Sequence, residues 1–256
     1  MCIRDSYVPA PVLGNFTKDM LVTPKTVFLE RCQPVYEAIK MTRKELDDSK
    51  SLIGFAGAPW TLYRYMSGNV LPGHIDEFDG AWMMQRLTDY IVEHLSQQIK
   101  AGCDTVQLFD SWASDLGEDH IIPYCYEPTA QIVERLKALH PDVGIIVFPR
   151  LIGEEINNFS KYVDADCISL SDDMKTDWIL KRMGHQCLQG GIPPEALLAE
   201  NKEEILRATV PMIRQMKDSA YVVNLAHGIN KETPVENVRF FIEIVKRNRE
   251  NITRET

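Results

Sequence analysis

Short apolar runs alternate with amphipathic stretches along most of the chain. The runs at 52–55, 105–109, 144–148, 167–170, 186–189 and 221–225 are almost continuously apolar, as strands buried on both faces of a parallel sheet should be. Between them apolar residues recur at helical spacing. Trp82, Leu87, Ile91, Leu95 and Ile99 mark a helix over 81–101, and Ile132, Val133, Leu136 and Leu139 mark one over 129–139. Further helices are predicted at 153–163, 175–183 and 201–217. Ala101-Gly102 supplies a stop signal for the first, and Thr233-Pro234-Val235-Glu236 opens a last helix with a capping box and a proline at its first position. Ahead of the first strand, Thr23-Pro24 followed by Val27, Val35, Ile39 and Leu46 also reads as helix.

Strand-then-helix alternation predicts an α/β fold whose parallel strands are joined by crossovers. No GxGxxG and no GxxxxGK[ST] follows any strand, so the phosphate-binding turns of many open sheets are missing. Instead Gly57-Ala58-Pro59, Asp110-Ser111, Pro149-Arg150, Ser171-Asp172, Gly190-Gly191 and His227-Gly228 follow successive strands. Such residues ring the catalytic face of a TIM (β/α)8-type barrel. The barrel needs eight strands and only six are visible, so its first strands are expected to be absent from this chain. Residues 1–49 read as a partly helical N-terminal remnant and 50–256 as a single barrel domain, with a natural N-terminal segment expected to be missing.

Composition narrows the function. A 45% hydrophobic chain of 256 residues can bury a core, and its longest apolar runs fall short of the roughly 18 residues of a membrane helix. A cytoplasmic protein without a membrane partner is expected. Six scattered cysteines with no CxxC pair read as reduced thiols. A net charge of −9 disfavours nucleic acid as a partner and requires a locally positive pocket for any polyanionic substrate.

Three strand-end motifs carry more specific information: Gly54-Phe55-Ala56-Gly57-Ala58-Pro59-Trp60-Thr61-Leu62-Tyr63-Arg64-Tyr65-Met66, then Gln107-Leu108-Phe109-Asp110-Ser111-Trp112, then Asn224-Leu225-Ala226-His227-Gly228-Ile229. Together with Thr233-Pro234-Val235-Glu236-Asn237-Val238, they resemble the uroporphyrinogen decarboxylase family from about residue 51 to the C-terminus. The resemblance implies the barrel independently of strand spacing. It also implies decarboxylation of the four acetate side chains of uroporphyrinogen III to coproporphyrinogen III, with no cofactor and no metal, in a homodimer whose clefts face each other.

By the same resemblance Tyr65 lies near the reacting acetate as a catalytic and substrate-binding residue. His227 hydrogen-bonds a substrate carboxylate, and Phe148 lines the cleft. Arg150 is a further candidate for pairing with a carboxylate. Trp60 and Phe55 read as core, and Pro59 as the start of a helix.

The chain also departs from the family pattern. Pro149 stands where a serine or threonine often binds substrate, Ala226 replaces a glycine, and Gln189-Gly190-Gly191-Ile192-Pro193-Pro194 and Leu170-Ser171-Asp172 differ from the usual turns. The family's Arg-rich motif and its substrate-holding aspartate do not occur, so this chain alone is expected to catalyse poorly. Two alternatives follow: a corrinoid-linked, zinc-dependent methyltransferase of the same superfamily, for which His185-Gln186-Cys187 is the sole metal-like string, and a non-catalytic tetrapyrrole-binding barrel.

Overall fold

A computed structural model describes residues 17–68 and 70–255. The expectation that residues 1–16 belong to an N-terminal remnant therefore lies outside the described residues. The chain divides into two compact units, one spanning Leu13–Cys167 and the other holding Ile168–Thr256.

In the first unit a 3-10 turn (Lys18–Val22) precedes α1 (Lys25–Glu45), β1 (Ile53–Gly57), α2 (Pro59–Met66), α3 (Glu77–Lys100) and β2 (Thr105–Asp110). A short α4 (Glu118–Ile121), a π-helical turn (Ile122–Tyr126) and α5 (Glu127–Leu139) lead to β3 (Gly144–Pro149), and α6 (Ile156–Tyr162) closes the unit. β1, β2 and β3 pair in parallel and in sequence order, with Ile53 opposite Thr105 and Thr105 opposite Gly144. The core lies between these strands and the helices: Val106, Leu108, Ile145 and Val147 are buried against Leu87, Ile91 and Leu95 of α3 and Ile132, Val133 and Leu136 of α5. Arg43, near the end of α1, sets the entry to β1 by pairing with Asp104 at 3.0 Å and donating to the Leu46 carbonyl at 3.1 Å. α3 ends at Gly102, whose φ of +117° suits glycine and whose missing Cβ leaves room for the Arg43 stem.

β4 (Cys167–Leu170) begins at the unit boundary. The second unit continues with α7 (Thr176–Met183), β5 (Cys187–Gly190), α8 (Lys202–Gln215), β6 (Tyr221–Val222) and α9 (Val235–Glu255). β5 and β6 are parallel, again in sequence order. α8 has an Asn201 cap whose side chain accepts from the Glu204 amide at 3.1 Å.

All six expected strands form. Two expectations change. The run 221–225 gives a strand of only two residues, because the Asn224 side chain takes the Leu225 amide at 2.8 Å and leaves Leu225 a single bridge to Ile192. The helix over 153–163 starts as a 3-10 turn (Gly153–Glu155) before α6. Among the described residues no helix is long and apolar enough to cross a membrane.

Candidate active site

The C-terminal ends of β1, β2 and β3 gather most of the sequence-predicted residues. Pro59 occupies the first position of α2, so the Gly57-Ala58 turn passes directly from strand into helix. The Ala58 amide donates to the Phe109 carbonyl at 2.7 Å and the Arg150 amide to the Asp110 carbonyl at 3.1 Å, tying the three strand ends together.

α2 is then clamped onto the segment after β2. The Trp60 indole N–H donates to the Trp112 carbonyl at 2.9 Å. The Arg64 guanidinium pairs with Asp115 at 2.8 Å and lies 5.0 Å from the Trp112 ring centroid. Tyr65, 39% exposed, packs edge-on against the same Trp112 ring at 6.2 Å. Its placement follows from helix geometry: Tyr65 lies four residues, about one turn, beyond Thr61, and Thr61 is fastened inward by donating to Asp110 Oδ1 at 2.7 Å.

Asp110 is 3% exposed, and burial pushes its carboxyl up to about 6 against the opposing pull of the Thr61 hydrogen bond. Its Oδ2 makes no hydrogen bond among the described residues. The Cys125 thiol of the π-helical turn borders the carboxyl and is itself driven upward, first by burial and then by the Asp110 charge.

An aromatic row crosses the strands. Phe55 meets Phe109 edge-on at 6.1 Å, and Phe109 meets Phe148 edge-on at 6.1 Å. Phe148 is only 5% exposed, whereas Phe55 is 49% exposed and Phe109 half-buried, so the outer two rings offer most of the apolar face. The reading of Phe55 as core is corrected here. Its neighbour Gly54 backs onto Gln98 and Cys103 on the helix-covered face, so Phe55 must turn to the opposite one. Trp60, by contrast, is fully buried.

The Arg150 side chain is half-buried and makes no ion pair among the described residues. Leu151, next to it, has φ of +57°, a conformation that costs a branched side chain roughly 1–2 kcal/mol. Tyr65, Phe148 and Arg150 belong to the first unit and His227 to the second. There His227 Nδ1–H donates to the Gly228 carbonyl at 2.9 Å, and Nε2 lies 3.7 Å from Glu195 Oε1. Gly190 and Gly191, the altered turn after β5, have φ of +85° and +87°.

Sequence reasoning passed over Phe109 and left Asp110 between shaping the cleft and a structural strand-end role. Period-two alternation could have found Phe109, since Phe109 and Phe148 occupy facing register positions. Cys187 opens β5 and His185 precedes it, away from the strand's C-terminal end. Among the described residues no group of three or more His, Cys, Asp and Glu side chains could hold a metal ion.

The family model described as "Uroporphyrinogen decarboxylase (URO-D)" matches residues 4–248. Proteins named uroporphyrinogen decarboxylase are similar over most of this chain. The one from Cereibacter sphaeroides is 33% identical over 228 residues, covering 85% of this chain and 66% of its own length. Those from Paracoccus denitrificans and Orientia tsutsugamushi are 34% and 35% identical, covering 87% and 83% of this chain and 68% and 65% of theirs. The chain thus spans about two thirds of these relatives. Among solved structures, a methyltransferase from Methanosarcina mazei matches with a TM-score of 0.70 at 16% identity, covering 91% of this chain and 67% of the other. A B12-independent methionine synthase from Shewanella sp. matches at 0.60 and 14% identity, covering 86% and 67%. These two likenesses are of fold alone, and agree with the expected TIM-barrel-type α/β class.

Proposed function

Because the chain belongs to the uroporphyrinogen decarboxylase family, we propose that it contributes to the cofactor-free removal of the acetate carboxyls of uroporphyrinogen III, yielding coproporphyrinogen III. The observation that carries this reading is the assembly at the ends of β1 to β3: a half-exposed tyrosine, an aromatic row and an arginine with no carboxylate partner among the described residues.

The substrate supplies its own electron sink. Protonation of a pyrrole ring carbon makes that ring a cation, which accepts the electron pair of the breaking carbon–carbon bond as carbon dioxide leaves. A second proton then replaces the carboxyl on the methylene carbon, and the ring carbon loses its proton to restore the aromatic pyrrole. The protein must orient the acetate, carry protons and favour the transient cation.

Tyr65 holds a phenol that can donate to the acetate carboxylate, on a helix fixed by Thr61 and Trp60. Phe55 and Phe109, set nearly at right angles to each other, offer an apolar wall to the macrocycle, and the face of either ring is electron-rich toward a developing cation. Arg150 supplies positive charge for peripheral carboxylates in a chain of net charge −9. As an imidazolium, His227 can donate Nε2–H to a carboxylate while Nδ1–H stays on the Gly228 carbonyl.

The test follows coproporphyrinogen formation from uroporphyrinogen III by the natural gene product and by residues 1–256 alone, each with Tyr65→Phe alongside. Tyr65→Phe is expected to lower kcat by about 10²- to 10⁴-fold, the scale of a positioned proton donor, while substrate binding persists. Undiminished kcat in the variant removes Tyr65 from the reaction. Loss of no carboxyl by the natural gene product overturns the decarboxylase reading.

A further inference from the structure

Arg64 has no part in the chemistry described above, yet it precedes Tyr65 on α2 with only 5% of its surface exposed. A long cationic side chain is almost never withdrawn so far from water unless it is paired. Here Nη2 meets Asp115 Oδ2 at 2.8 Å and Nη1 donates to the Val70 carbonyl at 3.0 Å. The guanidinium carbon lies 6.0 Å from the Trp60 ring centroid and 5.0 Å from that of Trp112.

These contacts differ in what they join. Trp60 stands one turn earlier on the same helix, so its ring packs against Arg64 as any such neighbour would. Trp112 and Asp115 belong to the segment after β2, and Asp115 closes the 3-10 turn (Ala113–Asp115) that follows Trp112. The guanidinium therefore holds Trp112 both at its ring and through the next turn. The Trp60 indole N–H adds a hold on the Trp112 carbonyl at 2.9 Å.

Trp112 is in turn a wall for Tyr65, whose ring meets it edge-on at 6.2 Å and an interplanar angle of 78°. A tyrosine that is 39% exposed keeps rotamer freedom unless its neighbours limit it. Trp112 supplies such a limit, and Arg64 keeps Trp112 in place. A lysine would be a poor replacement, because an ammonium has no planar fork that can pair with a carboxylate and lie over an indole at once.

We propose that Arg64 is a positioning residue for Tyr65: its buried guanidinium, tied to Asp115, pins the Trp112 ring as the wall that sets the phenol against the reacting acetate. Arg64 acts through Trp112 and does not meet the substrate. Such control matters to rate, since a misplacement of about 1 Å can cost about 10²-fold. The inference rests on the decarboxylase reading and on the place of Tyr65 in it. A merely structural Arg64 would support the fold without acting through the phenol.

The test is a double-mutant cycle in the natural gene product, with kcat and KM for uroporphyrinogen III measured in the parent, Arg64→Lys, Tyr65→Phe and the double variant. Arg64→Lys keeps the charge and is expected to lower kcat about tenfold while KM stays within about twofold. In the Tyr65→Phe background the same change should alter kcat less than about twofold, because the group that it positions is gone. An equal loss in both backgrounds, or an unchanged kcat in Arg64→Lys, overturns the proposal. Asp115→Asn reaches the same link from its more open end, at a side chain 27% exposed, and should show the same dependence on Tyr65 even where Arg64→Lys does not fold.

A readout without turnover separates this proposal from the reading beneath it. With 3-fluorotyrosine in place of Tyr65, the fluorine resonance of the parent should be displaced from its unfolded-chain value by the Trp112 ring, and Arg64→Lys or Asp115→Asn should move it back toward that value. A resonance identical in parent and variants overturns the positioning role. A resonance that moves, in a parent that removes no carboxyl, supports the hold on Tyr65 and overturns the decarboxylase reading alone.

Discussion

Thr61 and Asp110, 49 residues apart, meet in the interior through a 2.7 Å hydrogen bond from the hydroxyl to one carboxyl oxygen. The bond fastens the first turn of α2 to the end of β2, and through α2 it sets the direction of Tyr65. It also anchors a carboxyl that has been withdrawn from water.

That withdrawal predicts a pH dependence. The Asp110 carboxyl is pushed up to about 6 from an ordinary value of 3.8. Below pH 4 the group is protonated in both folded and unfolded chains and costs nothing. As pH rises from about 4 to about 6 the unfolded chain releases the proton first, so stability falls, by about 3 kcal/mol in total at 1.36 kcal/mol per unit. Asp110→Asn should remove that fall. Urea unfolding of the two proteins at pH 4.5 and pH 7.5 checks it: the variant should gain on the parent between the two, and a constant difference would refute the assignment.

Gln98 predicts a second effect. Its side-chain amide accepts from the Phe55 N–H at 2.9 Å and donates to the Phe55 carbonyl at 2.9 Å, satisfying both main-chain groups that this residue turns away from β2. Gln98→Leu keeps the bulk and orphans both groups, at about 2–4 kcal/mol. Gln98→Glu retains the acceptor alone and should fall between. Equilibrium unfolding ranks the three, and parity between Leu and Gln would show that the amide contributes no net stability.

Gly191 provides a third. At φ of +87° an added Cβ would stand 2.6 Å from Met212 Cε. Gly191→Ala should cost about 2 kcal/mol, part backbone strain and part clash. The double variant with Met212→Ala relieves the clash and not the strain, so a double-mutant cycle in thermal unfolding should recover a fraction of the loss. Full recovery would mean that the backbone there is unstrained.

What the sequence made legible was periodicity. Continuous apolar runs located all six strands, and Pro59 marked the start of α2 to the residue. Phe55 was misread because a continuous run hides which face each residue takes, and only Gln98 and Cys103 pressing on Gly54 reveal it. The motif around Asp110 located a strand end, but nothing in the order of residues foretold that Thr61 would roof a buried carboxyl. A hydrogen bond between Tyr36 and His94 was equally hidden, since its partners lie 58 positions apart on separate helices and neither belongs to a strand-end motif.

The sequence-ordered pairing of β1, β2 and β3 bears on how the protein is made. Each strand's neighbour is the one synthesised just before it, so the sheet can grow at the ribosome in the direction of translation. A nascent chain that has emerged as far as residue 110 already carries both partners of the β1–β2 ladder, together with the α3 that covers them. Later strands add to an existing template instead of waiting for a distant one, which shortens the time that apolar strand surface stands open to other chains in the crowded cell.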